Sequence, residues 1–308
     1  MSDLPLERIE AGKPPFTNIG IDYFGPFEVK VGRSYPKRYG VLITCLVTRA
    51  VHLEVAHSLT TDSFLAAFSR FAARRGHPQV VYSDNGTNIV SGEKELRKML
   101  HEFNQKQINN HMTQRQITWH FLPPHASHMA GAWERLIGST KRILHTLAGQ
   151  QKLNDEALLT FFAEAERIMN DRPLTSSDEP GLRALTPAML LIARGDVSSM
   201  PPGLFDDSIT RRWWKQAQYL ANVFWRRWLK EYLPALQRRS KWTKPAPNLK
   251  PDDLVLIADE NTPRGDWPLG LIQSVNTSND GLVRSAVIRT AKSTKARPIT
   301  KIIKLESD

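Results

Sequence analysis

The stretch Trp119-His120-Phe121-Leu122-Pro123-Pro124-His125-Ala126-Ser127-His128-Met129-Ala130-Gly131-Ala132-Trp133-Glu134-Arg135-Leu136-Ile137 decides how this chain is read. Its apolar start gives a short strand, the paired prolines and Gly131 give a loop, and a helix begins just before Glu134. That helix is expected to reach about Ala148, because Trp133, Leu136, Ile137, Ile143, Leu144 and Leu147 make one apolar stripe at helical spacing. Glu134, Gly138, Lys141 and His145 fall on the face away from the stripe. A carboxylate, a gap and a cation thus share one helix face, which taken alone is also the pattern of a solvated surface.

Two upstream stretches give that face a context. Asn18-Ile19-Gly20-Ile21-Asp22-Tyr23-Phe24 is a strand-like run with a single acid, and Val80-Val81-Tyr82-Ser83-Asp84-Asn85-Gly86-Thr87 is a second strand ending on an acid and turning at Asn-Gly. An acid inside or at the tip of a buried strand has to be paired, protonated or bound to a metal. Asp22, Asp84 and Glu134 are therefore expected to form one site.

These residues carry a resemblance. Asp22, Asp84 within Ser-Asp-Asn-Gly-Thr, and Glu134 within Gly-Ala-Trp-Glu-Arg resemble the Asp, Asp, Glu triad of retroviral and retrotransposon integrase cores, and in particular the integrase region of BEL/Pao-type polyproteins. The resemblance implies an RNase H-like core, a mixed five-stranded sheet flanked by helices, in which the triad holds two Mg²⁺ or Mn²⁺ ions and acts on DNA. It also implies a homo-oligomer with a cytoplasmic particle stage and a nuclear destination. One departure is visible: 49 residues separate Asp84 from Glu134, more than is usual in retroviral integrases, with the surplus in the polar segment His101 to Gln116.

The chemistry explains the residue types. Joining a DNA 3′ end to a target phosphodiester is an in-line displacement at phosphorus, and two hard divalent ions about 4 Å apart activate the attacking oxygen and stabilise the leaving one. Hard oxygen ligands suit such ions, hence carboxylates rather than histidine or cysteine. Asn85 and Gly86 shape the turn that aims Asp84, and Asn85, Thr87 and Asn88 are candidate phosphate contacts. Lys141 and Arg142 are candidate contacts to the element's DNA end, and Arg211, Arg212, Arg226 and Arg227 to nucleic acid generally. His125 and His128 have a spacing that suits zinc, but without cysteine or a second pair they read as part of a substrate loop.

Composition sets the bounds. The chain has 308 residues, 41% hydrophobic, enough for a sizeable core and two domains. It contains no run of 18 apolar residues and no signal-peptide pattern, so no membrane partner and no secretion are expected. Cys45 is the only cysteine, which excludes an internal disulfide and a paired-His, paired-Cys zinc module. The excess of positive charge lies late: residues 211–308 hold 19 Lys and Arg against 9 Asp and Glu, whereas residues 1–210 hold 23 against 22. A block of this kind favours a polyanion.

In chain order, the expected organisation is a lead-in over 1–15, a catalytic core over 16–174, a linker over 175–208, a basic Trp-rich helical segment over 209–249 and a small SH3-like β-barrel over 250–308. Within the core, strands are expected at about Thr17 to Phe24 (ending at Gly25-Pro26), Tyr39 to Val47, Ala50 to Ala56, Gln79 to Ser83 and Ile117 to Phe121. Helices are expected over Thr60 to Arg75, Glu93 to Phe103 and Leu153 to Asp171, the last capped by Asn154. Val29 to Lys37 reads as a surface loop, and Glu164 and Glu166 as ordinary surface charge on two sides of their helix. In the long helix Ile209 to Leu236 the tryptophans are expected inward and the arginines outward. Leu254 to Ile257, Leu269 to Val275, Leu282 to Arg289 and Ile299 to Lys304 read as short strands. Beside the integrase reading stand a nuclease on the same fold without strand transfer, and a non-catalytic DNA-binding or assembly protein derived from an integrase.

Overall fold

Strand β1 (Asn18–Glu28) pairs on one side with antiparallel β2 (Lys37–Cys45) and on the other with parallel β4 (Val80–Asp84). The structure, a computed structural model, describes residues 12–84, 108, 117–122, 138–147, 152–176, 184–192, 213–236, 248–259, 262, 264–265, 267–278 and 280–305. With β3 (Val51–Ala56) and β5 (Thr118–Leu122) the first sheet has the order β3-β2-β1-β4-β5, antiparallel on the β3 side and parallel on the β5 side. This is the mixed five-stranded sheet expected from the sequence.

Alternation along β1 sends neighbouring side chains to opposite faces, and each face finds its helix. Helix α1 (Thr61–Arg75) covers the Tyr23 side: its Phe64 meets Tyr23 at 6.2 Å and Trp119 of β5 at 5.5 Å, ring centre to ring centre. Thr60 caps α1 by accepting the Ser63 N–H, and Gly76, at φ +88°, ends it in a conformation that a side chain would oppose. The other face carries Phe24 and Phe27, which pack on Phe162 of α3 (Asp155–Asn170). The helical residues 138–147, here α2, join that layer: Thr140 donates to the Met169 sulfur of α3, and His145 approaches Phe27. Asn154 caps α3 through the Ala157 N–H, as expected. The sheet is therefore flanked by helices on both faces.

Two expectations about the start of the chain are corrected. β1 does not end at Gly25-Pro26; it continues to Glu28 through an irregularity in its pairing with β2 between Phe24 and Phe27. Val29 is not in a surface loop: it is fully buried, bridges Leu153 and is followed by a Lys30 N–H that donates to the Leu153 carbonyl. Apolar Phe27 and Val29 keep the period-2 pattern past the proline, and burying them outweighs the break in the ladder.

The second half of the chain holds another sheet. β8 (Leu254–Ile257), β9 (Leu269–Thr277), β10 (Val283–Thr290), β11 (Thr294–Pro298) and β12 (Ile302–Lys304) run in the order β11-β10-β9-β8-β12, antiparallel throughout. Its core is Leu249, Val255, Ile257, Ile272, Ala286, Ile288 and Ile302. The stretch read as one strand over Ile299 to Lys304 is a short 3₁₀ turn followed by β12, and β11 precedes it. The segment read as a linker contains the pair β6 (Thr175–Ser176) and β7 (Ala184–Leu185) and the short helix α4 (Pro187–Ile192).

Helix α5 (Trp213–Leu236) buries Trp225 and Trp228, whereas Trp213 is exposed against expectation. Phe224, Trp228 and Tyr232 stack in series one helical turn apart, and Trp225 donates to the Thr262 carbonyl. Trp213 opens the helix, before that buried stripe has begun. Arg226 points outward and Arg227 pairs with Glu231 on the next turn. By internal contacts the chain divides into two units, Met1–Met169 with Phe205–Ala221, and Asn170–Leu204 with Asn222–Asp308.

Candidate active site

Asp22 sits in the middle of the central strand, opposite Leu42 of β2. It lies two residues before Phe24, so its side chain is on the α2 and α3 face, about a quarter exposed in a strand whose other members are mostly buried. Ile21 is the register partner of Ser83, so Asp22 and Asp84 each come one step later in adjacent parallel strands. Their backbones stand one strand spacing apart, about 5 Å. Asp84 closes β4 opposite Leu122. The register therefore brings two of the three expected acids to one level of the sheet.

The neighbour of Asp22 comes from α2. The Lys141 ammonium forms an ion pair with Asp22 Oδ2, with both side chains about a quarter exposed. Lys141 is placed there because Ser139, Thr140, Ile143, Leu144 and Leu147 bury the opposite side of α2, leaving Lys141 on the half-buried margin and Arg142 exposed. Near the β4 end, Trp119 donates to the Ser83 hydroxyl at 2.8 Å and Tyr82 stacks on His120 at 5.0 Å. These contacts fix β4 against β5 just before Asp84.

Glu134, Asn85, Thr87, Asn88, Arg211, Arg212, His125 and His128 lie outside the described residues, as does the expected helix Glu93 to Phe103. Among the described residues no three His, Cys, Asp or Glu side chains converge as a metal-holding group. The donor chemistry of Asp22 nonetheless fits a hard divalent ion: its carboxylate is solvent-reachable and an ammonium, itself a hard cation, is already seated on it.

A second ionic cluster was missed from the sequence. His52 of β3 is buried between Glu54 and Glu166, with each carboxylate 3.2 Å from a ring nitrogen. Glu54 also binds Arg70 and Arg74 of α1, both at 2.8 Å, and Glu166 binds Arg75 at 2.6 Å. Glu166 further accepts the Leu53 N–H at 2.9 Å. It is thus no ordinary surface charge: β3 is an edge strand, and this carboxylate satisfies an edge donor that would otherwise face solvent. Glu164 is engaged as well, by Arg167 and Gln218. Burial disfavours the charged forms of all three central groups, but the mutual hydrogen bonds win: His52 is held above its ordinary value, Glu54 and Glu166 below theirs. The only hint in the sequence was His and Glu alternating in an apolar strand.

Comparison with known proteins adds the following. Residues 212–305, which span α5 and the second sheet, match a family of unknown function (DUF5641). No curated protein matches the chain. A chain from the cryo-EM structure of the simian T-cell lymphotropic virus intasome in complex with PP2A regulatory subunit B56 gamma is similar at 12% identity and a TM-score of 0.39, over 100% of this chain and 84% of that one. The HTLV-2 integrase catalytic core domain in complex with magnesium is similar in its trimeric form at 16% identity and 0.36, over 58% and 99% of the respective chains. Its dimeric form gives 18% identity and 0.28, over 42% and 71%. Among the described residues no helix is long and apolar enough to cross a membrane.

Proposed function

We propose that this chain is an integrase-like polynucleotidyl transferase: the catalytic core and C-terminal part of a BEL/Pao-like retroelement polyprotein, which processes DNA 3′ ends and joins them to target DNA. The observation that carries this reading is the placement of Asp22 and Asp84. They fall at one level of adjacent parallel strands, in a sheet of order β3-β2-β1-β4-β5, with a cation from the following helical layer on Asp22. That strand order supports an RNase H-like core. The second sheet, whose last strand β12 returns to pair with the first, β8, supports the SH3-like reading of 250–308.

In this reading Asp22, Asp84 and Glu134 hold Mg²⁺ or Mn²⁺, which when bound polarises the scissile phosphate and raises the nucleophilicity of the attacking oxygen. Asp22 pairs with Leu42 on one side and directly follows the last β1–β4 pair, Ile21 with Ser83, on the other, so its backbone is pre-positioned. Arg142 is exposed one residue past Lys141, in position to meet a DNA backbone. DNA is the substrate, the working form is a homo-oligomer, and the site of action is the nucleus.

The test is a metal-dependent assay with a labelled terminal oligonucleotide, scoring nicking and joining separately. Both products with Mg²⁺ or Mn²⁺, lost in Asp22→Asn, are expected. Nicking without joining would instead favour a nuclease on the same fold, and DNA binding with neither product a non-catalytic assembly protein.

A further inference from the structure

We infer that Lys141 competes with the divalent ion for Asp22, so that metal and DNA bind this site cooperatively. The inference rests on the metal reading above. Lys141 reaches Asp22 Oδ2 from α2, across 119 residues of sequence and with both groups only partly exposed. Neither group has another ion-pair partner among the described residues. A divalent ion coordinated by the same carboxylate oxygen would bring two positive centres within about 4 Å of one another, where repulsion is strong even at an effective dielectric of about 20. The ammonium therefore has to leave that oxygen when the ion arrives.

Where it goes is set by its side chain. Lysine has four flexible methylenes and a point charge without a fixed fork, so it can swing from a carboxylate to a phosphate oxygen with little reorganisation. Arg142, exposed next to it, offers the same DNA backbone a second cation. A phosphate that draws Lys141 away frees Asp22 for the ion, and an ion that displaces Lys141 frees it for the phosphate. The coupling is reciprocal by linkage. Lys141 is on this argument a positioning residue, one that makes the metal site most available when DNA is present.

The experiment measures Mn²⁺ binding to the full chain by the paramagnetic resonance of free Mn²⁺, with and without a duplex oligonucleotide. Lys141→Gln, which is slightly shorter and keeps hydrogen bonding but removes the charge, is expected to bind Mn²⁺ up to about fivefold more tightly without DNA, the scale of a partly exposed ion pair. Lys141→Arg should stay near wild type, which guards against a general packing effect. DNA should raise the affinity of wild type more than that of Lys141→Gln. Equal or weaker Mn²⁺ binding by Lys141→Gln, or an equal response to DNA in both, would overturn the inference. Asp22→Asn separates the two levels: if it abolishes Mn²⁺ binding while Lys141→Gln behaves as wild type, only the competition fails. If Asp22→Asn leaves Mn²⁺ binding unchanged, the metal reading itself fails and the competition with it.

Discussion

His52 lies between two carboxylates with its ring almost fully buried, so its charge state governs the stability of the β3 edge. Its value is raised, so its pairing stabilises the fold fully below about pH 6.5 and loses that contribution as pH rises through the folded value. Glu54 and Glu166 are lowered, so theirs is fully present above about pH 4.5 and is lost as pH falls through their folded values. Urea midpoints should therefore be highest between about pH 4.5 and 6.5 and decline on both sides. Glu166→Gln still accepts from Leu53 but pairs with neither His52 nor Arg75 as an ion, so it should cost about 1–3 kcal/mol near pH 6 and flatten the alkaline decline. A profile in the variant that parallels wild type would show that the cluster does not couple to folding. Beyond the alternation of His52 and Glu54 in an apolar strand this was not legible in the sequence, because Glu164 and Glu166 two apart on a helix say only that they face different sides. What covers each side is a tertiary fact: an edge strand for Glu166, a glutamine 54 positions away for Glu164. Asp22 was legible for the opposite reason, since a lone acid in an apolar strand needs a partner whatever the fold.

At the scale of elements, the close approach of β1 to β2 depends on Gly40. A Cβ built there would overlap the tip of the Phe24 ring, which also packs on Phe27 and Phe162. Gly40→Ala should thus destabilise by about 1–3 kcal/mol through overpacking. Calorimetry would detect the loss as a lowered Tm, and Phe24→Leu in the same chain should recover part of it by vacating the ring volume. At α1, Thr60→Ala removes the acceptor of the Ser63 N–H and should cost about 1 kcal/mol. Elements of this kind were readable because their signals are local: the Thr60 cap, the Gly76 stop, the Asn154 cap and the 3.6-residue stripes all lie within the segments they define. The continuation of β1 was not readable, since Gly25-Pro26 is a local stop signal and the reason to continue, the packing of Phe27 and Val29 against the α3 layer and Leu153, is distant in sequence.

For the whole molecule, charge is the property that distinguishes the two halves. Between Gly281 and Leu305 there are seven Lys and Arg and no Asp or Glu, and Arg289, Lys295 and Lys301 among them are exposed on or beside the β10–β11 hairpin. If these cations meet DNA phosphates, binding by the full chain should weaken steeply with salt and depend little on sequence, because the driving force is counterion release. Each lost phosphate contact lowers the slope of log affinity against log salt by about 0.9. Replacing Arg289, Lys295 and Lys301 together with glutamine should therefore reduce the slope by up to about 2.7, with similar losses on unrelated duplexes. A matched control exists in the first half, where Lys30, Arg33 and Lys37 are equally exposed but lie among residues of nearly balanced charge. Neutralising that trio changes net charge by the same amount, so it shifts any effect that net charge alone produces but leaves the number of phosphate contacts intact. Titrations of both variants at four or more salt concentrations decide between the two causes: equal slope changes would assign DNA affinity to overall charge, whereas a change confined to the hairpin variant places the contacts on the second sheet.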